Sequence, residues 1–485
     1  MRPFYLGAVA LAAALLIGCD GPLTPAGPRA TPDGAKDGAV DIIAEPSASA
    51  VAIPAPGTRT QGSDWSDFLG PGRNNKSPDE GILTDWPGGG PRVVWKKPLG
   101  TGYGSCSISE GRLMLFDRHG DVARLTCMNS ETGAELWRFE YPTAYRDMLG
   151  YNNGPRCTPV IDDRRVYIYG AQGKLHCLSV VDGRLLWMVD TAADYNVMQN
   201  FFGVGSTPLV EGDLVIAQVG GSPPGSPPTY TGDAIGDGSG IVAWDKVTGQ
   251  ERYRITDQLA AYASPVAATI AGRRWCFSFS RDGLVGFDPE SGNVKFEFPW
   301  RSKKLASVNA STPIVIGDQV FISEAYELGS SMLRIQENGV EVVWSDRGRR
   351  RDKSMRTHWN TAIYHEGTIY GSSGQHSGEA TLRAIDASDG RILWSQPGLL
   401  RSSLLFVDGH FVCLSEDGTL RLIRATPERY EEVAAVDLRE DGRRLLRYPA
   451  WPPPVLAQGL LYVRDERQLV CLDLRARDPN RSAVD

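Results

Sequence analysis

Histidine is scarce in this chain, six in 485 residues, and no two stand at the spacing of a zinc site. No nucleophile elbow and no phosphate-cradling Walker loop occurs. The absence of any C-x-x-C-H segment excludes covalent attachment of c-type haem. None of the eight cysteines has another beside it. An excess of positive charge is also missing. A formal charge of −7 and a pI near 5.6 disfavour nucleic acid as a partner. The apolar run at the N-terminus, Phe4 to Ile17, falls short of the roughly 20 residues that cross a bilayer.

That run follows Met1-Arg2 and ends in Leu16-Ile17-Gly18-Cys19. A positive start, a short apolar core and small residues at the exit describe a secretory signal. The exit resembles the lipobox of bacterial lipoproteins, which implies that residues 1–19 are a signal peptide and that Cys19 carries a lipid. An ordinary signal peptide with a chance cysteine is the alternative. Asp20 resembles an inner-membrane retention signal. Residues 20–60, rich in Pro, Ala, Gly, Ser and Thr, bury too little to offset their ordering entropy and read as a flexible tether. Residues 61–90 read as an extension packed on the domain, 91–475 as the domain itself, and 476–485 as a tail. Without Cys19, seven cysteines remain, an odd number that cannot all pair within the chain.

The domain is repetitive. An apolar pair, an acidic or polar turn, a Gly and an aromatic residue four positions later recur as Gly133/Trp137, Gly183/Trp187, Gly249/Tyr253, Gly292/Phe296 and Gly390/Trp394; Gly339/Trp344 is one residue longer. Each is a strand, a tight turn and a second strand. Before each comes a small residue, often followed by Pro, then two apolar strands; copies start near Cys106, Thr158, Thr207, Ser264, Thr312, Thr361, Ser403 and Pro452. Four strands per unit and eight units predict an all-β, eight-bladed propeller. The last unit supplies three strands. Pro91 to Leu99, with Trp95 in the aromatic position, is expected to supply the fourth, closing the ring and removing exposed edges.

These Asp-x-x-x-Gly-x-x-x-Trp phrases resemble the tryptophan-docking motifs of pyrroloquinoline-quinone-repeat propellers. The resemblance gives Trp95, Trp137, Trp187, Trp344 and Trp394 a structural role. Trp65 to Asn75, with Trp86-Pro-Gly-Gly-Gly, is similar to a subgroup of bacterial secreted propellers. In anchor, repeat and size the chain is also similar to the propeller lipoprotein of the β-barrel assembly machinery. The wider family includes dehydrogenases that use a vicinal cysteine pair, a stacking tryptophan, a metal held by Glu, Asn and Asp, and a catalytic Asp. The vicinal pair is missing here and the metal triad does not align, so no cofactor is expected. Pyrroloquinoline quinone with calcium is the alternative.

Strand parity places two loop sets at one end of the ring: those leading into each first strand and those joining second to third strands. These loops carry Asn152, Asn153, Arg156, Phe201, Phe202, Asn309, Glu324, Tyr326, His358, Trp359, Asn360, Gln375, His376, Glu379 and Arg401. Such a set of donors, acceptors and aromatic faces suits a ligand-binding mouth. Arg281-Asp282-Gly283 and Glu416-Asp417-Gly418 read as ordinary hairpin turns, and His365 and His410 as solvated. Arg156 and Arg401 need anionic partners if buried, either Glu324 or a ligand. Basic residues crowd the same loops: Arg301, Lys303 and Lys304; Arg347, Arg349, Arg350, Arg351, Lys353 and Arg356; and Arg439, Arg443, Arg444 and Arg447, the last group diluted by Asp437, Glu440 and Asp441. Charge runs are usually only solvated; gathered at the mouth, they would attract an anion.

The expected function is therefore a lipid-anchored, monomeric envelope propeller, on the periplasmic side of the inner or outer membrane. It would bind envelope proteins or anionic glycans through its mouth. Two alternatives stay open. One is a quinoprotein-like oxidoreductase using Arg156 or Arg401 with Glu324 and Asn309; the other is a glycan-acting enzyme with Glu324 and Glu379 as its carboxylates. Cys106 and Cys157, at matching positions of adjacent blades, are either bonded or free.

Overall fold

The computed structural model describes residues 55–229 and 234–476. The signal, Cys19, most of the tether and nearly all of the tail lie outside the described residues. Apart from one helical turn, Thr191–Asp194, every regular element described is a β-strand. Eight four-stranded antiparallel sheets form the blades of a propeller. Blades 1 to 7 span residues 107–142, 160–190, 209–255, 266–299, 314–345, 363–397 and 402–437. Blade 8 combines Val455–Ala457, Leu460–Arg464 and Gln468–Asp473 with the N-terminal strand Arg92–Pro98, which pairs with Gln468–Asp473. The ring is closed by the strand the sequence assigned to it.

Every blade carries one register shift between its third and fourth strands, at the residue opposite the repeat's aromatic position. Such a bulge bends the outer strand and increases local twist. It turns the aromatic side chain toward the next blade. The indole N–H of Trp95, Trp137, Trp187, Trp344 and Trp394 donates to a carbonyl of the following blade (Ser130, Val180, Lys246, Ala387 and Thr426) at 2.9–3.1 Å. Gly183 shows why the turn needs glycine: its φ is +72°, and a Cβ there would lie 2.4 Å from the Trp137 ring. Phe296 in blade 4 and Ala434 in blade 7 hold the same register position without a donor.

The small residue before each inner strand has its own role. The backbone N–H of Ser105 donates to the Thr158 hydroxyl, Thr158 to Thr207, Thr207 to Ser264, Ser264 to Thr312, and Thr312 to Thr361, at 3.0–3.3 Å. A ladder of hydroxyls thus joins blades 1 to 6 around the axis and satisfies N–H groups that strand pairing leaves free. Cys106 and Cys157 are buried free thiols, and burial pushes the Cys106 thiol up to about 12.

Residues 63–82 cross the ring at the end opposite the mouth, where first strands turn into second strands. Trp65 pairs with Ile108, Ile161 donates to Ser66, Asn75 and Ser77 bracket Phe406, and Gln458 donates to Ser63. Arg73 is buried. It pairs with Asp67 at 2.7 Å and donates to the carbonyls of Pro208 and, at 2.8 Å, Pro265. One segment therefore ties blades 1, 2, 3, 4, 7 and 8.

Candidate functional site

The pairing of Ser402 with Ser415 in blade 7 puts Arg401 and Glu416 opposite each other at the mouth. Arg401 donates to Glu416 Oε2 from Nη2 at 2.6 Å and from Nε at 2.9 Å. Its guanidinium lies 4.1 Å from the Trp359 ring centroid and 5.6 Å from that of Trp451. Trp451 Nε1 donates to the same carboxylate oxygen at 3.1 Å. Against the cost of burial, the bonds from Arg401 and Trp451 hold the Glu416 carboxyl below its ordinary range.

A second pair repeats the design at the entry to blade 2. Arg156 Nη2 reaches the buried Asp147 at 2.5 Å. The guanidinium sits between Tyr103 and Phe202, 5.7 and 5.3 Å from their centroids. Asn153 Oδ1 accepts from the Asp147 backbone at 2.8 Å, and Asn152 Nδ2 donates to Glu466 of blade 8 at 2.6 Å. The partners of the two arginines are thus Asp147 and Glu416, not Glu324.

Aromatic rings connect the pairs into a circle. Tyr326 and His358 are hydrogen-bonded at 2.9 Å; then come His358–Trp359 at 5.1 Å, Trp359–Trp451 at 5.0 Å and Trp451–Tyr103 at 4.9 Å. Beyond Arg156, Phe202 lies 5.5 Å from Tyr262. Tyr262, Phe201 and Tyr326 pack together with Val308 and Ala325, which completes the circle. Burial pushes the His358 imidazole down to about 3, so it is neutral at physiological pH. Burial also pushes Glu324 up to about 7, outweighing the backbone N–H bonds from Tyr326 and Leu328. Glu324 Oε1, Asn309 Oδ1, His358 Nδ1 and Trp359 Nε1 are buried without a hydrogen-bond partner among the described residues.

Three predicted residues border this circle without a ring contact or ion pair within it. Asn309 turns its amide N–H groups to the carbonyls of Ser280, Arg281 and Trp300, at 2.7–3.3 Å, which fixes the top of blade 4. His376 is exposed. Glu379 accepts from the backbone of Gln375 and pairs with Arg356 at 3.4 Å. Much of the basic crowd is occupied too. Lys353 is buried and donates to three carbonyls, Leu328, Asp346 and Arg347. Arg301 pairs with Asp282, Lys304 with Glu327, and Arg444 with Asp437. Among the described residues, Lys303, Arg349, Arg350, Arg351, Arg443 and Arg447 make no ion pair.

Asp147, Trp451 and Tyr103 belong to the site and were not singled out from sequence; Glu416 belongs to it too, and was placed in the mouth loops. Glu416 read as a turn residue. A signal was available: an acidic residue just after the strand that must pair with the one following Arg401.

A family model described as outer membrane protein assembly factor BamB matches residues 121–347 and 333–427. No curated protein matches. Among solved structures, BamB from Moraxella catarrhalis is similar at 14% identity, covering 81% of this chain and 99% of its own, with a TM-score of 0.53. The quinohemoprotein alcohol dehydrogenase from Comamonas testosteroni is similar at 11% identity, covering 89% and 83%, with a TM-score of 0.60. At such identities these likenesses concern the fold.

The two arginines that a quinone would use at this mouth are engaged within the chain. Both guanidinium groups that would face the quinone carboxylates already hold carboxylates of this chain. Arg401 covers one face of Trp359, and Trp451 is in ring contact with it. Among the described residues, no three His, Cys, Asp or Glu side chains gather as metal ligands.

Proposed function

Because this chain belongs to the pyrroloquinoline-quinone-repeat family whose model is described as outer membrane protein assembly factor BamB, we propose that it is a non-redox binding or assembly module of the cell envelope. It works through the face that holds the channel mouth. A lipid on Cys19 holds it to the periplasmic side of the inner or outer membrane, as a monomer, and its partners are envelope proteins or anionic glycans. Among the described residues, no helix is long and apolar enough to cross a membrane. The observation that carries the reading is the internal pairing of Arg156 with Asp147 and of Arg401 with Glu416. Both cations are neutralised and stacked within the chain. The unpaired cations Arg349, Arg350 and Arg351 are exposed.

A second reading has one observation in its favour. Glu324 Oε1 and Asn309 Oδ1 are buried acceptors without partners, and oxygen acceptors are what a calcium ion takes. It corresponds to a quinoprotein-like oxidoreductase. Titration of the full-length protein with pyrroloquinoline quinone and calcium separates the two, read by absorbance and calorimetry with dye-linked alcohol and sugar oxidation alongside. No saturable binding at tens of micromolar is expected; saturable binding with turnover would establish the oxidoreductase instead.

A further inference from the structure

We propose that the exposed aromatic and aliphatic patch above Trp451 docks an acidic, apolar segment of a protein partner. This rests on the reading of the chain as a binding module and adds the surface and the partner's chemistry. Tyr151 is 58% exposed and Tyr448 56% exposed, yet each touches Trp451, at centroid distances of 6.4 and 6.0 Å. Beside Tyr151 in the same loop stand Met148 and Leu149, 42% and 56% exposed. The loop between blades 1 and 2 and the loop between blades 7 and 8 thus present one surface, joined through Trp451. Other exposed apolar side chains, such as Val181 and Val247, sit singly in turns and need no explanation. Contiguous Tyr, Trp and Met are what the centres of protein interfaces are enriched in.

The loop that carries Met148 to Tyr151 is held from beneath. Asp147 accepts from the backbone of Leu149 at 2.8 Å while gripping Arg156, and Asn152 is tied to Glu466. A loop so anchored pays little ordering entropy when a partner lands on it. Its exposed apolar groups are therefore presented in a fixed arrangement.

Charge sets the sign of the partner. Arg447 is exposed beside Tyr448, Arg443 lies four residues earlier, and neither makes an ion pair among the described residues. The carboxylates under the patch, Asp147 and Glu416, are spent on Arg156 and Arg401. Of the anions nearby, Glu466 meets only the neutral Asn152 and Asp441 is exposed beside Arg443, while Arg447 directly adjoins Tyr448. The apolar groups at Tyr448 therefore stand next to a free cation, which favours an apolar segment with an anionic group at that end. A neutral glycan is a poorer match. It needs several acceptors for its hydroxyl protons, and Asp147, Asn152, Glu416 and one oxygen of Glu466 are engaged within the chain.

The test uses the full-length protein, immobilised, with fluorescein-labelled pools of twelve-residue peptides: acidic-apolar, acidic-polar and basic-apolar. Calorimetry with a neutral hexasaccharide runs in parallel. The acidic-apolar pool is expected to be retained at least about tenfold more than either other pool. Tyr151→Ser with Tyr448→Ser should abolish that preference, and Arg447→Glu with Arg443→Glu should reverse its charge dependence; all four side chains are exposed, so thermal melting should be unchanged. Equal retention of the pools, retention indifferent to these variants, or no retention overturns the proposal. So does hexasaccharide binding that the tyrosine variant abolishes, which reassigns the patch to sugar. Retention that follows Arg349 to Arg351 but ignores Tyr151 and Tyr448 overturns the patch and leaves the module standing. Saturable quinone binding overturns the module itself.

Discussion

Arg401 and Glu416 form a bidentate contact onto one carboxylate oxygen, at 2.6 and 2.9 Å, with the guanidinium lying over Trp359. Their side chains are 12% and 1% exposed, so the pair exchanges hydration for mutual attraction. Removing one partner from such a buried pair costs about 3–5 kcal/mol, because the other charge is left uncompensated. Glu416→Ala is expected to lower stability by that amount, measured by urea denaturation. Arg401→Met with Glu416→Leu should cost less than Glu416→Ala alone.

Glu324 makes stability depend on pH. Its folded pKa of about 7 stands above the ordinary 4.5, so the folded state holds a proton that the unfolded state releases. Stability is full below the unfolded value and falls as pH rises through the window from 4.5 to about 7. Glu324→Gln should flatten that fall and raise stability at pH 8 by about 2–3 kcal/mol. Urea midpoints of both proteins between pH 4 and pH 8 measure it; parallel curves would show that another group is responsible.

On the proposed function, the three arginines at 349–351 attract an anionic partner at a distance. Replacing all three by Gln should weaken binding of poly-L-glutamate and reduce its salt dependence, since exposed charges are screened over about 8–10 Å at physiological ionic strength. Titrations at low and at physiological salt test this. An unchanged salt slope would mean that these residues are only solvated.

Blade-to-blade docking gives a prediction about the ring. Trp187 is 3% exposed, donates to Lys246 of the next blade and packs on Gly249. Trp187→Ala should cost about 3–5 kcal/mol, as large buried aromatic side chains do. Gly183→Ala should also destabilise, by about 2 kcal/mol or more, through its positive φ and the Trp137 ring. Thermal melting of the two variants checks both.

The architecture was legible because a propeller repeats its instructions. Glycine at the turn and an aromatic residue four positions on are local requirements of every blade, and even the borrowed strand announced itself through Trp95. The mouth was legible only as a list of chemically able side chains. Arg156, Trp359, His358, Tyr326 and Arg401 do converge there. Their pairing was hidden because Asp147 and Trp451 lie in irregular connections where no period applies, and because Glu416 stands in a Glu-Asp-Gly sequence that ordinary turns also use. Lys353 shows the converse. It reads as one more surface cation in a basic run, yet three carbonyls bury it. A charge run says nothing about which of its members the backbone will claim.

Blade 8 orders the protein's assembly in time. Its outer strand, Arg92–Pro98, precedes every other blade strand in the chain, and its partner Gln468–Asp473 follows all of them. The first strand synthesised is therefore the last to find its neighbour. Without the C-terminal residues, seven blades would form an open arc with a sheet face uncovered at each end and Arg92–Pro98 lacking its partner strand, and an unpaired strand recruits other chains. A chain shortened before Gln468 should remain in that arc, however well its other seven blades are formed.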